Sequence, residues 1–244
     1  MSAVANTEPA TEPVIEARTI SSGYRGVAAV RDLTLEVKPG EVVGLLGPNG
    51  AGKTTTLLTL AGDVPCISGE VRFLGHPVRL PLAQRARRGL ALVTEEKSVF
   101  MGLTVAENLR LGRGVIEDAL EIFPLLREHL KRKAGLLSGG QQQILTLARA
   151  LAARPRVLLA DELSLGLAPI ITQQLFEAIR RAADETGVGV LLVEQHVRNA
   201  LQIADRVYIL QRGQCVLDGP AREMQGRLDE IEKTYLAGPA DARA

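Results

Sequence analysis

The chain has 244 residues, enough for one large α/β domain or two small ones with a sizeable core. Its hydrophobic content of 46% excludes overall disorder, and a net charge of +1 gives no argument for broad attraction to nucleic acid or to a membrane surface. The two cysteines, Cys66 and Cys215, have neither metal nor redox spacing and fit a reducing compartment.

The first segment, Met1 to Pro13, is rich in Ala, Thr, Glu and Pro and lacks the charged-then-apolar layout of a signal peptide, so it reads as a mobile tail. No later run approaches the ~18–20 apolar residues of a membrane span. A soluble protein is expected, with any membrane role acting through a partner. Residues Val14 to Val37 read as antiparallel strands, with Leu33, Leu35 and Val37 alternating with Thr34, Glu36 and Lys38. Pro39-Gly40 makes a turn. Glu41 to Leu46 is a short apolar strand followed by a Gly-rich loop and a helix from about Lys53, and Gly69 to Leu74 is another strand. The block from Glu96 to Leu137 is helical in pattern, with Val115 to Leu130 interrupted at Pro124. A helix is expected from about Gly140 to Ala153, and a buried strand over Val157 to Ala160 ends in Asp161-Glu162. A further helix follows Pro169, and an all-apolar strand covers Val188 to Val193. Val207 to Leu210 and Cys215 to Leu217 form a hairpin across Arg212-Gly213. Alternating buried strands and helices predict an α/β fold with a mostly parallel sheet, into which the central helical block is inserted.

Three segments carry chemistry. Gly47-Pro48-Asn49-Gly50-Ala51-Gly52-Lys53-Thr54 matches the phosphate-loop pattern. Its glycines let successive N–H groups point at phosphate oxygens, and the following helix adds its positive end. Lys53 is expected to reach the β- and γ-phosphates and the Thr54 hydroxyl to bind Mg²⁺. In Val157-Leu158-Leu159-Ala160-Asp161-Glu162, Asp161 is placed to hold Mg²⁺ and Glu162 to orient or deprotonate an attacking water. Buried strands often end in an acid without such a role. Leu137-Ser138-Gly139-Gly140-Gln141 reads as a helix start capped by Ser138, and also as a second phosphate-binding helix terminus.

In this order the three segments resemble the ABC ATPase family, whose signature is Leu-Ser-Gly-Gly-Gln, and the resemblance spans roughly Val14 to Gly238. It implies a P-loop NTPase core, an antiparallel β subdomain and a helical subdomain at about 96–145. It also implies ATP and Mg²⁺ bound at Gly47 to Thr55, and a head-to-tail dimer. In that dimer Ser138, Gly139, Gly140 and Gln141 serve the ATP of a second ATPase subunit, identical or paralogous. Tyr24 falls where the family stacks an aromatic on adenine, although a strand-edge tyrosine is the plainer alternative. Glu95 falls in the family's Q-loop, where most members carry Gln. It is either a metal-side carboxylate, with Thr54 and Asp161, or a solvated loop acid. The family's switch histidine falls on Gln195, and His196 is one residue later, at the start of a helix. Ala168 stands where many members have Asp, and Leu163 replaces the Pro after the catalytic Glu.

These departures, with Ser164-Leu165-Gly166-Leu167-Ala168-Pro169 and the end Lys233 to Gly238, are similar to the shorter ATPase subunit of branched-chain amino acid importers. The resemblance implies a cytoplasmic motor on the inner face of the plasma membrane. Its partners would be permease subunits and, indirectly, an extracytoplasmic solute-binding protein. Two other readings stay open: a soluble ABC ATPase with no transport role, and an inactive regulatory cassette, against which the intact Lys53, Asp161 and Glu162 argue.

Overall fold

The computed structural model describes residues 12–96, 98–228 and 231. Most of the expected amino-terminal tail, the end at 239–244 and the segment Lys233 to Gly238 lie outside the described residues.

In chain order the chain forms β1 (Ile15–Tyr24), β2 (Val27–Val37), β3 (Val42–Leu46), α1 (Lys53–Ala61), β4 (Cys66–Phe73) and a two-residue β5 (His76–Pro77). There follow α2 (Leu82–Arg87), β6 (Leu90–Val93), α3 (Val105–Arg110), α4 (Ile116–Ile122), and 3-10 turns over Pro124–His129 and Ala134–Leu136. The last part carries α5 (Gly139–Ala152), β7 (Val157–Asp161), α6 (Pro169–Thr186), β8 (Gly189–Glu194), α7 (Val197–Leu201), β9 (Arg206–Gln211), β10 (Gln214–Pro220) and α8 (Ala221–Gln225). One sheet of four strands runs β2-β1-β4-β5 and is antiparallel. The other, of six, runs β10-β9-β3-β8-β7-β6 and is parallel except for the β9–β10 hairpin.

The pleat explains the layering. Strands β3, β7 and β8 are buried at every position, as expected where helices or another sheet cover both faces. Val42, Leu158, Ala160, Val190 and Leu192 point to one face, where they join α4, α5 and α6 in one core. The alternate residues Val43, Leu45, Leu159, Leu191 and Val193 point to the other. There they pack on α1 and on the buried side chains of the antiparallel sheet, including Ile20, Leu33 and Leu35. Helix α1 is therefore held between the two sheets. No helix of the described residues is long and apolar enough to cross a membrane.

The expected elements are present with shifted edges. Strand β4 begins at Cys66, earlier than the expected Gly69. Gly69 lies inside it at φ 77, where the pairing with β1 shifts register between Arg18 and Ser21, so this glycine marks a bulge and not a strand start. The helical pattern over Val115 to Leu130 resolves into α4 and a separate 3-10 turn that begins at Pro124. Strand β6 was not foreseen, because four residues are too few to show a period. Helices α2 and α8 were missed for the same reason.

Arg85 of α2 is 4% exposed, and its guanidinium contacts main-chain carbonyls alone. It donates to Leu80, Val78, Thr59 and Leu60, the last two in the final turn of α1, where a cation also meets the negative end of the helix. Burial holds its pKa below the usual arginine value. Arg85→Met is expected to cost about 1–3 kcal/mol for each buried carbonyl left unpaired. Urea unfolding would show this as a lowered midpoint; an unchanged midpoint would remove Arg85 as the cap of α1.

Candidate active site

Strand β3 delivers the chain into a loop over 47–52, and α1 starts at Lys53. The loop is braced from behind. A side chain at Gly47 would place its Cβ 2.4 Å from the Leu210 carbonyl oxygen of β9. One at Gly52, which adopts φ 103, would lie 2.8 Å from the Val30 side chain. The β9–β10 turn closes the brace: the Gly213 N–H donates to the Ala51 carbonyl at 3.0 Å, and the Gly213 carbonyl accepts from Arg31 at 2.7 Å. Pro48, Asn49 and Gly50 form the outer rim, with Asn49 and Gly50 exposed. No side chain caps the amino end of α1 and no acid sits in its first turn, so its free N–H groups face the loop's mouth. Thr55 is buried and Thr54 exposed behind Lys53.

Lys53 is 4% exposed. Its ammonium donates to the Gly47 carbonyl at 2.9 Å and the Pro48 carbonyl at 3.3 Å, and lies 3.4 Å from Glu162 Oε1. Asp161, the last residue of β7, is buried. Its Oδ1 has no partner. Burial pushes the Asp161 pKa up; Glu162 and Glu95 add to the rise, and Thr54 and Lys53 oppose it. Glu95 is exposed in the loop that follows β6. The Glu162 carboxylate thus meets the Lys53 ammonium next to Asp161, whose buried Oδ1 is orphaned. That donor set suits a hard divalent cation such as Mg²⁺. No group of three or more His, Cys, Asp or Glu side chains able to hold a metal by themselves occurs among the described residues. The remaining ligands would have to come from elsewhere, and phosphate oxygens are the natural source.

Glu162 adopts φ 46, the left-handed region, and its N–H donates to the Val193 carbonyl at 2.9 Å. Gln195 follows β8 and is half-buried, whereas His196 is exposed at the N-cap of α7. Tyr24 stands at the end of β1 with 54% of its surface exposed. Leu163 is buried in the core, and α6 starts at Ala168-Pro169 without a side-chain cap.

Ser138 is the N-cap of α5 in a capping box with Gln141: each accepts a hydrogen bond from the other's backbone N–H. Gly139 and Gly140 open the helix, and a Cβ at Gly140 would meet the Ile171 side chain at 3.1 Å. The Gln141 amide also reaches His129 Nε2 at 3.0 Å. The contacts of this segment thus run to the helical block and α6. Glu194 was not singled out from the sequence. It is a fully buried acid at the end of β8 that binds Ser164, and its one signal was a carboxylate closing an otherwise apolar strand.

Residues 30–164 match the family described as "ABC transporter". The chain is 45% identical to the high-affinity branched-chain amino acid transport ATP-binding protein BraG of Pseudomonas aeruginosa, over 90% of this chain and 97% of that protein. It is 35% identical to the lipopolysaccharide export system ATP-binding protein LptB of Escherichia coli, over 91% of this chain and 96% of that one. A solved structure described as a dimeric, post-hydrolysis ATP-binding cassette with ADP and Pi matches with a TM-score of 0.76 and 25% identity. It covers 85% of this chain and 99% of that one.

Proposed function

The chain belongs to the ABC transporter family as an ATP-hydrolysing, ATP-binding subunit, and from that premise we propose that it drives an importer for branched-chain or other hydrophobic amino acids. The observation that carries the importer reading is the likeness to BraG along nearly its whole length. The likeness to LptB supports a second reading, an export motor, at lower identity.

In this proposal residues 14–238 form one cassette, with a helical subdomain at about 96–145. Gly47 to Thr55 wrap the phosphates and Tyr24 stacks on the adenine. Bound Mg²⁺, held through Thr54 and Asp161 with Glu95 nearby, would neutralise phosphate charge. Phosphate oxygens compete with the Gly47 and Pro48 carbonyls, and with Glu162, for the Lys53 ammonium. Once released, the Glu162 carboxylate takes the proton of the attacking water. Gln195, which cannot change charge, donates a hydrogen bond toward the terminal phosphate. A second ATPase subunit presents its own counterpart of Ser138 to Gln141, whose polar helix start meets that phosphate. Closure swings the helical block, which exposes Phe100, Met101, Leu111 and Leu136, against cytoplasmic loops of permease subunits. The protein would then sit on the inner face of the membrane, with a solute-binding protein on the other side.

Co-expression with candidate permeases tests the reading. Co-purification with a multi-span protein and ATP-driven leucine uptake in proteoliposomes are expected. No membrane partner would leave a soluble ATPase, and ATP-driven movement of lipopolysaccharide instead would favour the exporter. Within the site, Gln195→Ala is expected to slow hydrolysis several-fold more than His196→Ala. Steady-state phosphate release would measure both, and the reverse order would move the switch role to His196.

A further inference from the structure

Glu194 is 1% exposed and closes β8 next to the phosphate-loop strand, paired in register with Leu46 of β3. Burying a carboxylate is costly unless it is hydrogen-bonded. Here Oε1 accepts from the Ser164 N–H at 3.2 Å and Oε2 from the Ser164 hydroxyl at 2.8 Å. Burial still leaves its pKa above the usual carboxylate range, with Glu162 adding to the rise and Ser164 and His196 opposing it.

Ser164 lies two residues after Glu162. The segment between them is fastened to β8 at both ends: Glu162 N–H binds the Val193 carbonyl at 2.9 Å, and Ser164 binds the Glu194 carboxylate twice. Between these two fastenings Glu162 holds its left-handed φ of 46. For a residue with a side chain that conformation is unfavourable and persists only where the surroundings over-determine it. It is also the conformation in which the Glu162 carboxylate lies 3.4 Å from Lys53. The residue after Glu194 is Gln195.

We infer that Glu194 is a positioning residue: through Ser164 it fixes the backbone of Glu162, so that the water-activating carboxylate and the switch residue Gln195 are set by one strand end. The inference rests on the reading of Glu162 as the water-activating group. Glu194 touches neither phosphate nor water in this role. Its loss should misplace Glu162 and leave the phosphate loop intact.

The experiment uses the full chain assembled with its permease. Glu194→Ala is expected to lower kcat at least tenfold while ATP affinity stays within about threefold. Glu194→Gln, which keeps shape and one acceptor oxygen, should restore most of kcat, and Ser164→Ala should lower kcat several-fold. Added to Glu162→Gln, Glu194→Ala should cost nothing more, because both act through one group. A parallel loss of ATP affinity, equal kcat for Glu194→Gln and Glu194→Ala, or full additivity with Glu162→Gln would each overturn the inference. If Glu194→Ala does not fold, Ser164→Ala and Glu194→Gln still decide, since unchanged kcat in both would refute it. Unchanged turnover in Glu162→Gln alone would refute the reading of Glu162 instead, a separate outcome.

Discussion

Glu162→Gln is expected to lower kcat by about 10²–10⁴-fold, the range attributed to a positioned general base. The reason lies in the contacts of the carboxylate. Glu162 shares Lys53 with two backbone carbonyls, so a phosphate that draws Lys53 away leaves the carboxylate free to accept from a water. The amide is nearly isosteric but cannot take a proton. It also removes one negative charge from a group of three acids, which favours retention of anionic phosphate. ATP binding should therefore persist while hydrolysis stops, and an ATP-bound dimer should accumulate. Single-turnover phosphate release and size-exclusion chromatography with ATP measure the two effects. Wild-type turnover would remove Glu162 from the mechanism.

Lys53→Ala is expected to act on the other quantity. Its ammonium is buried, and hydrogen bonds to charged groups are worth about 1.5–3 kcal/mol each, so ATP affinity should fall roughly 10–150-fold. The same change strips Asp161 of its nearby cation, raising a pKa that burial already lifts, and so weakens metal binding as well. Calorimetric titration of Mg-ATP would measure the loss, and unaltered affinity would contradict the assignment of the loop. Glu162→Gln spares binding and removes turnover, whereas Lys53→Ala weakens binding first, so together the pair separates gripping from chemistry.

Much of this site was legible in the sequence because its parts are local. The loop glycines, the following helix and the acid pair at the end of β7 lie in short contiguous segments whose spacing states their geometry. The Ser138 cap was legible for the same reason, as Ser138 and Gln141 are three residues apart. What escaped depends on contacts between distant residues. The bond from Glu194 to Ser164 spans 30 positions, and that from Arg85 to Leu60 spans 25. The left-handed backbone of Glu162 leaves no trace in its residue type. Gly69 misled because a glycine inside a bulged strand looks like one before it.

The bracing of the loop has a consequence for synthesis. Strand β3 lies between β8 and β9, and the loop it carries leans on Leu210 and Gly213. A chain leaving the ribosome amino end first makes 47–54 early, yet its sheet neighbours and its backrest arrive only with 189–213. Until then the glycine-rich stretch is a floppy ribbon with no shape to offer a triphosphate. The braced form of the loop is therefore expected only once the chain through Gly213 has been made.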